Sequence, residues 1–152
     1  MLNIRKKKNN SIYWGDSNSY DFGTILTFYA RNHVFFDNEL LPPGEVIQEW
    51  YSIGNYQATR AVTPLPLLKK NQTYHLILDM IPTPNSSVFT KITFYNRYGD
   101  VVSYKVTKSN ELFFDYPKNA YSYKIQLISA GLTALEFHHL EIKEVNTCDN
   151  ES

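Results

Sequence analysis

The chain reads as an all-β protein, a β-sandwich of about ten short strands, and three observations predict it. Aromatic residues make up 15% of the 152 residues, with 12 Tyr and 9 Phe, and β-branched residues are spread throughout, a composition that suits a pleated, half-buried surface. Apolar residues recur with a period of two, most clearly in Tyr121 to Val145, YSYKIQLISAGLTALEFHHLEIKEV. No segment shows a sustained helical stripe with caps.

In the first strand of that stretch, Tyr123, Ile125, Leu127 and Ser129 share one face and Lys124 and Gln126 the other. A Gly131-containing turn leads to a second strand with Leu135 and Phe137 on one face, then His138, His139, Leu140 and Ile142. The apolar parity changes at the histidine pair, which predicts a β-bulge there.

Taken from the start, the chain has a short apolar segment from Ile12, followed by turn formers, and then TILTFYARNHVFF. There Leu26 and Phe28 oppose Ile25 and Tyr29, with a turn over Arg31-Asn32-His33 into a strand at Val34 to Phe36. Pro42 to Gly44 forbids regular structure. Strand-like Val46 to Tyr51 follows, then a turn at Gly54-Asn55 and a second alternation through Tyr56, Ala58 and Arg60.

Pro64 and Pro66 hold an extended connector, and Lys69 to Asn71 read as an exposed turn. Tyr74 to Ile81 is the clearest strand of the first half: Tyr74, Leu76, Leu78 and Met80 share a face, and Ile77 on the other suggests partial cover on both sides. Val88 to Asn96 and Val101 to Thr107 form a hairpin across Arg97-Tyr98-Gly99-Asp100. Phe113 to Tyr116 makes a further short strand, ended by Pro117. The boundaries expected are a basic tail over 1–11, one sandwich over 12–145 and a polar tail over 146–152.

The length fits one domain, which at this size buries about 68–70% of its unfolded surface without needing disulfides. Lys plus Arg equal Asp plus Glu at 15 each, so no long-range field draws the chain to nucleic acid or anionic lipid, and a general nucleic-acid binder is not expected. The single Cys148 sits in a polar tail and suits a reducing compartment. The basic run Arg5 to Lys8 has no apolar stretch behind it, so neither a signal peptide nor a membrane span is expected. A cytoplasmic location follows if Met1 is the natural start. The basic run reads as a solvated tail, with the inner face of the cell membrane as its other reading. Sequons at Asn71 and Asn85 carry no meaning without export.

The chain lacks the nucleophile-elbow, zinc-protease, paired-cysteine and phosphate-loop signatures, so no catalytic residue and no cofactor is expected. His138-His139 is the one local cluster a metal could use. Adjacent strand residues face opposite ways, so the pair could share an ion only at a bulge, and structural histidines are the plainer reading. Asp79 has no second acid identifiable beside it, which leaves it on a polar face or as a paired residue. Asp37 and Glu39 could lie in a Ca²⁺ loop, but an ion needing 6–8 oxygens is poorly served by two carboxylates. Five rings, Trp14, Trp50, Tyr51, Tyr56 and Tyr98, are candidates to stack on sugar or anchor a partner protein. Trp50 also reads as core, and Tyr98, at a hairpin tip, as exposed.

Several pieces in order carry a family resemblance: Trp14-Gly15, Phe36-Asp37-Asn38, Leu41-Pro42-Pro43-Gly44, Ile47-Gln48-Glu49-Trp50, Leu65-Pro66-Leu67-Leu68, Phe114-Asp115-Tyr116-Pro117 and Tyr123 to Ile128. Together, over Ile12 to Val145, they resemble the third accessory Sec system protein of streptococci and staphylococci. The resemblance implies a jelly-roll sandwich similar to carbohydrate-binding modules. It also implies a non-catalytic subunit working with two companion accessory Sec proteins, one glycosyltransferase-like and one a hydrolase-fold acetyltransferase. The implied task is modification and export of glycosylated serine-rich-repeat adhesins through the accessory SecA motor, with contact to the adhesin or its glycan.

Many sugar-binding modules carry an acidic pair near the end of the last strand, where this chain has His138-His139, so neither a sugar nor a calcium site transfers. A free-standing carbohydrate-binding module is the rival reading, and a small glycan-active enzyme a third that no motif supports.

Overall fold

The computed structural model describes residues 11–15, 20, 22–52 and 65–145. Ten strands occupy them: β1 (Ser11–Ile12), β2 (Ile25–Ala30), β3 (His33–Asp37), β4 (Val46–Tyr51), β5 (Thr73–Thr83), β6 (Val88–Tyr95), β7 (Val101–Thr107), β8 (Glu111–Asp115), β9 (Ser122–Ser129) and β10 (Ala134–Glu144). No helix occurs among the described residues.

One sheet has the order β2-β3-β10-β5-β8, with β1 pairing β10 beyond the end of β3; the other has the order β4-β9-β6-β7. Four antiparallel pairs are nested about the β6–β7 hairpin: β6 with β7, β5 with β8, β4 with β9, and β3 with β10. A long hairpin rolled up in this way, with its strand pairs divided between two sheets, is a jelly roll. The pairings of β5 with β10 and of β6 with β9 are the seams that rolling creates, and β1 on β10 and β2 on β3 add to the first sheet.

The turn at Gly131 therefore joins strands in different sheets. β9 ends in the four-stranded sheet and β10 begins in the six-stranded one, so their shared apolar faces look at each other across the core. Tyr123, Ile125 and Leu127 from β9 meet Leu135, Phe137, Leu140 and Ile142 from β10, all buried.

The bulge lies where the parity change predicts it. Phe137 pairs with Met80 and His139 with Asp79, which leaves His138 as the extra residue. Both histidines consequently sit on the outer face, and Leu140 and Ile142 return to the core. A second irregularity in β4, between Val46 and Gln48, turns Ile47 and Gln48 inward together. Gln48 is fully buried, and its Nε2 donates to the Trp14 carbonyl at 2.9 Å while its Oε1 accepts from the Glu49 N–H at 2.9 Å. A buried amide needs such partners.

Trp14, Trp50 and Phe137 form an aromatic cluster, with ring centroids 5.4 Å apart for Trp14–Phe137 and 5.6 Å for Trp50–Phe137. Phe94, Phe114, Tyr116 and Tyr123 form another. Offset and edge-to-face rings of this sort add to the area they bury.

Several strand ends differ from the periodicity by one or two residues, β5 running Thr73–Thr83 and β6 stopping at Tyr95. The strand expected at Phe113 to Tyr116 is β8, Glu111–Asp115; the Tyr116 N–H still bonds the Gln72 carbonyl at 2.9 Å, and Pro117 cannot continue the ladder. His33, expected in a turn, already belongs to β3 and pairs with Ala30. Ser11 is paired as part of β1. The turn at Gly54-Asn55, the alternation through Arg60, residues 1–10 and the tail from 146 lie outside the described residues.

Candidate functional site

Three surfaces present functional side chains, and each follows from how the strands are placed. The first is the outer face of the four-stranded sheet. Register sets Tyr51 opposite Lys124, Lys124 opposite Thr93, and Thr93 opposite Tyr104; the neighbouring row runs Glu49, Gln126, Lys91, Val106. The Tyr51 hydroxyl donates to Glu49 Oε2 at 2.6 Å, and Gln126 Nε2 donates to Glu49 Oε1 at 2.9 Å. Lys124 lies 5.9 Å from the Tyr51 ring and 5.8 Å from the Tyr95 ring, and Lys91 lies 4.8 Å from the Tyr104 ring. Burial, and then the bond to Glu49, push the Tyr51 hydroxyl well above its ordinary pKa, so it stays a neutral donor. The face offers rings, amide and charge side by side, the mixture that suits a polar ligand or a partner surface.

The hairpin tip is the second surface. Asn96 Oδ1 accepts from the N–H groups of Tyr98 at 2.8 Å and Asp100 at 3.0 Å, and Gly99 takes a φ of 87°, which closes a tight turn. That geometry leaves the Tyr98 ring 83% exposed.

The third surface is the β2 end of the six-stranded sheet. Ile25, Phe28 and Tyr29 are 66%, 50% and 65% exposed, and among the described residues nothing pairs with the outer edge of β2. Asn38 anchors the approach to this strand: its buried side chain bonds the Phe22 carbonyl and Thr24 Oγ1, both at 2.9 Å, and accepts from the Leu40 N–H.

Of the five rings singled out in the sequence, Trp14 is corrected to a core residue at 1% exposure, and so is Trp50. Trp50 is 3% exposed and its indole N–H donates to the Tyr13 carbonyl at 2.9 Å, so it cannot reach a ligand. Tyr51 and Tyr98 reach solvent on separate surfaces, and Tyr56 lies outside the described residues. Asp37 ends β3 and Glu39 is exposed beyond it; neither belongs to a group of three metal-capable side chains among the described residues.

Asp79, lacking an acid beside it in sequence, stands in a cluster in space. His138 Nδ1 lies 3.5 Å from its Oδ1 and His139 Nδ1 3.7 Å from its Oδ2. His33 and Glu136 adjoin them, with His33 Nε2 3.1 Å from Glu136 Oε2. Sequence reasoning missed His33 and Glu136. The local signal was Glu136-x-His138, two residues apart on a strand and hence on one face.

A jelly-roll β-sandwich whose chemistry lies on open sheet faces and edges is the class of protein these observations define. Its sequence matches the model of the accessory Sec secretory system ASP3 family over residues 19–144, and the chain belongs to that family. It is 41% identical over 153 residues to the accessory Sec system protein of the same name from Streptococcus gordonii, covering 93% of this chain and 96% of that one. The protein of that name from Staphylococcus aureus is 34% identical over 142 residues, which cover 92% of this chain and 44% of the longer relative.

Among solved structures, the crystal structure of accessory secretory protein 1, 2 and 3 from Streptococcus pneumoniae aligns with a TM-score of 0.86 at 42% identity, covering 93% of this chain and all of that one. The glycosylation associate protein (Gap123) complex from Streptococcus agalactiae aligns with a TM-score of 0.84 at 41% identity, covering 90% of this chain and 44% of that one.

Proposed function

We propose that this chain is a non-catalytic scaffolding subunit of an accessory Sec complex. It holds two companion accessory Sec proteins, one glycosyltransferase-like and one a hydrolase-fold acetyltransferase. The complex serves modification and export of glycosylated serine-rich-repeat adhesins through the accessory SecA motor, in the cytoplasm at the inner face of the membrane. The observation that carries this reading is the end-to-end match, at 42% identity, to a chain in the structure of accessory secretory protein 1, 2 and 3.

Physical support comes from β2. An edge strand whose outer backbone groups pair with nothing among the described residues, and which carries three exposed large apolar side chains, invites pairing with another chain. Expressed alone, the protein is expected to be poorly soluble for the same reason.

Co-expression with the two companions tests this. A tag on this chain should recover both, and Phe28→Arg with Tyr29→Asp should lower recovery at least tenfold without unfolding the chain. If the unaltered chain recovers neither companion, the scaffold reading fails; if the double variant recovers both in full, β2 is not the docking edge.

A second reading, a carbohydrate-binding module, is favoured by the ring-and-amide rows of the four-stranded sheet. It predicts saturable binding of an N-acetylglucosamine-rich glycan that weakens on Tyr51→Ala, Tyr56→Ala or Tyr98→Ala. No binding at millimolar sugar removes it.

A further inference from the structure

The outer face of the six-stranded sheet carries three imidazoles and three carboxylates about the β10 bulge, a cluster the scaffold reading does not use. We propose that His33, Glu136 and His138 bind one divalent transition-metal ion of the zinc class, with Asp79 orienting His138.

The strands place these ligands. Glu136 and His138 are two apart on β10 and point outward together, and β3 runs antiparallel beside them with Val34 opposite Phe137, which brings His33 alongside His138. One ligand atom from each of the three residues lies within 4.8 Å of the other two. A tetrahedral ion with nitrogen and oxygen ligands at 2.0–2.1 Å has ligand-to-ligand edges of about 3.3 Å. His33 Nε2 and His138 Nε2 stand 3.1 Å and 3.4 Å from Glu136 Oε2, so two edges are already near that length. The third closes by rotation of side chains that are 27–39% exposed.

Two imidazoles and one carboxylate form a borderline donor set. It suits zinc-class ions and is poor for Ca²⁺ or Mg²⁺, which take oxygen. The fourth position faces solvent and would hold water.

A separate observation concerns the far side of the His138 ring. Its Nδ1 is buried without a hydrogen-bond partner, and its nearest charge is Asp79 Oδ1 at 3.5 Å. An ion at Nε2 puts the proton on Nδ1, facing Asp79, the carboxylate–histidine–metal arrangement that fixes tautomer and ring angle. The ion also offsets the negative charge of Glu136, Asp79 and Glu141, of which, among the described residues, only Glu141 has a lysine contact, Lys143 at 3.7 Å.

The test uses the full chain carrying Cys148→Ser, stripped with chelator and titrated with Zn²⁺ against a fluorescent competitor. One equivalent should bind. His33→Ala, His138→Ala and Glu136→Gln should each weaken binding at least tenfold, and Asp79→Asn by about 10–100-fold as an orienting partner. His75→Ala should leave it unchanged, because His75 belongs elsewhere, 2.8 Å from Glu111 and stacked on Phe113. Co²⁺ should give visible absorption bands that vanish in the His33→Ala, His138→Ala double variant. A cooperatively melting chain that binds no Zn²⁺ at micromolar free ion, or binds it equally well in the double variant, overturns the proposal.

Discussion

The extra residue in β10 can be removed or doubled, and the two changes should differ sharply in cost. Deleting His138 leaves Phe137 facing in, His139 out, Leu140 in, Glu141 out and Ile142 in, an unbroken alternation. The register with β5 is already continuous around the gap, since Phe137 pairs with Met80 and His139 with Asp79. What is lost is a part-exposed side chain with ion contacts at 3.4 and 3.5 Å, worth about 1 kcal/mol or less.

Inserting Ala between His139 and Leu140 does the reverse. With the β5 register kept, Leu140 and Ile142, now 0% and 3% exposed, swing outward, at about 1.5–3 kcal/mol each. Glu141 turns into the core, an added penalty. A loss of about 3–6 kcal/mol is a large part of the 5–15 kcal/mol that holds a domain together.

Urea unfolding followed by Trp fluorescence reports on this directly, because the protein's two tryptophans, Trp14 and Trp50, both pack on Phe137 beside the bulge. With a slope of about 2 kcal/mol/M, the deletion should move the midpoint by about 0.5 M or less and the insertion by about 1.5–3 M. Equal losses from the two changes would refute the reasoning, since the bulge would then be a structural necessity of the strand.

Other perturbations follow from single contacts. Phe137→Ala empties the space between the two indoles and should cost about 3–5 kcal/mol, read as a fall in the thermal midpoint. Burial raises the pKa of Tyr51, Tyr74, Tyr116 and Tyr123 above the ordinary 10.0. Below that pH both folded and unfolded forms keep these protons. Above it the unfolded chain releases them first, so stability should fall as pH rises past 10, and Tyr123→Phe should shallow that fall in a pH series of urea midpoints. Tyr98→Ala, at an exposed tip, should change stability by about 0.5 kcal/mol or less in the same assay.

Local alternation was enough to read β4, β5, β6, β7, β9 and β10, and one break in it located the bulge. Alternation says which face a residue takes and nothing about which strand lies alongside. The pairs β3–β10, β4–β9 and β5–β8 join strands far apart in sequence, and no local signal specifies such partners. β2 misleads for a related reason. ILTFYA has the composition of a core strand, yet at the sheet's end Leu26 alone of its large apolar side chains packs against the core, while Ile25, Phe28 and Tyr29 are exposed. Trp50 carried two readings because a ring on an alternating strand looks the same whether it meets the core or solvent, and only the sheet opposite decides. The cluster around Asp79 was invisible for the same cause: His33, Asp79 and His138 come from three strands that meet only when the hairpin has rolled.

The open β2 edge and the imidazole cluster are neighbours, and the contact between them is specific. The Tyr29 ring on β2 lies over His33, centroids 4.9 Å apart, and His33 in turn lies 4.9 Å from His138. On the far side Tyr13 stands 6.5 Å from His139 and carries Arg31 at 4.7 Å, so both rims of the cluster are aromatic. A strand added to β2 would rest beside Tyr29, and an ion held by His33 would fasten the β2–β3 hairpin to β10. Two ligands that each favour the ordered hairpin must strengthen one another by the same factor, whichever binds first. The bulge adds His138 to the outer face beside His139 while Leu140 and Ile142 stay in the core, so two adjacent imidazoles of one strand lie beside this edge.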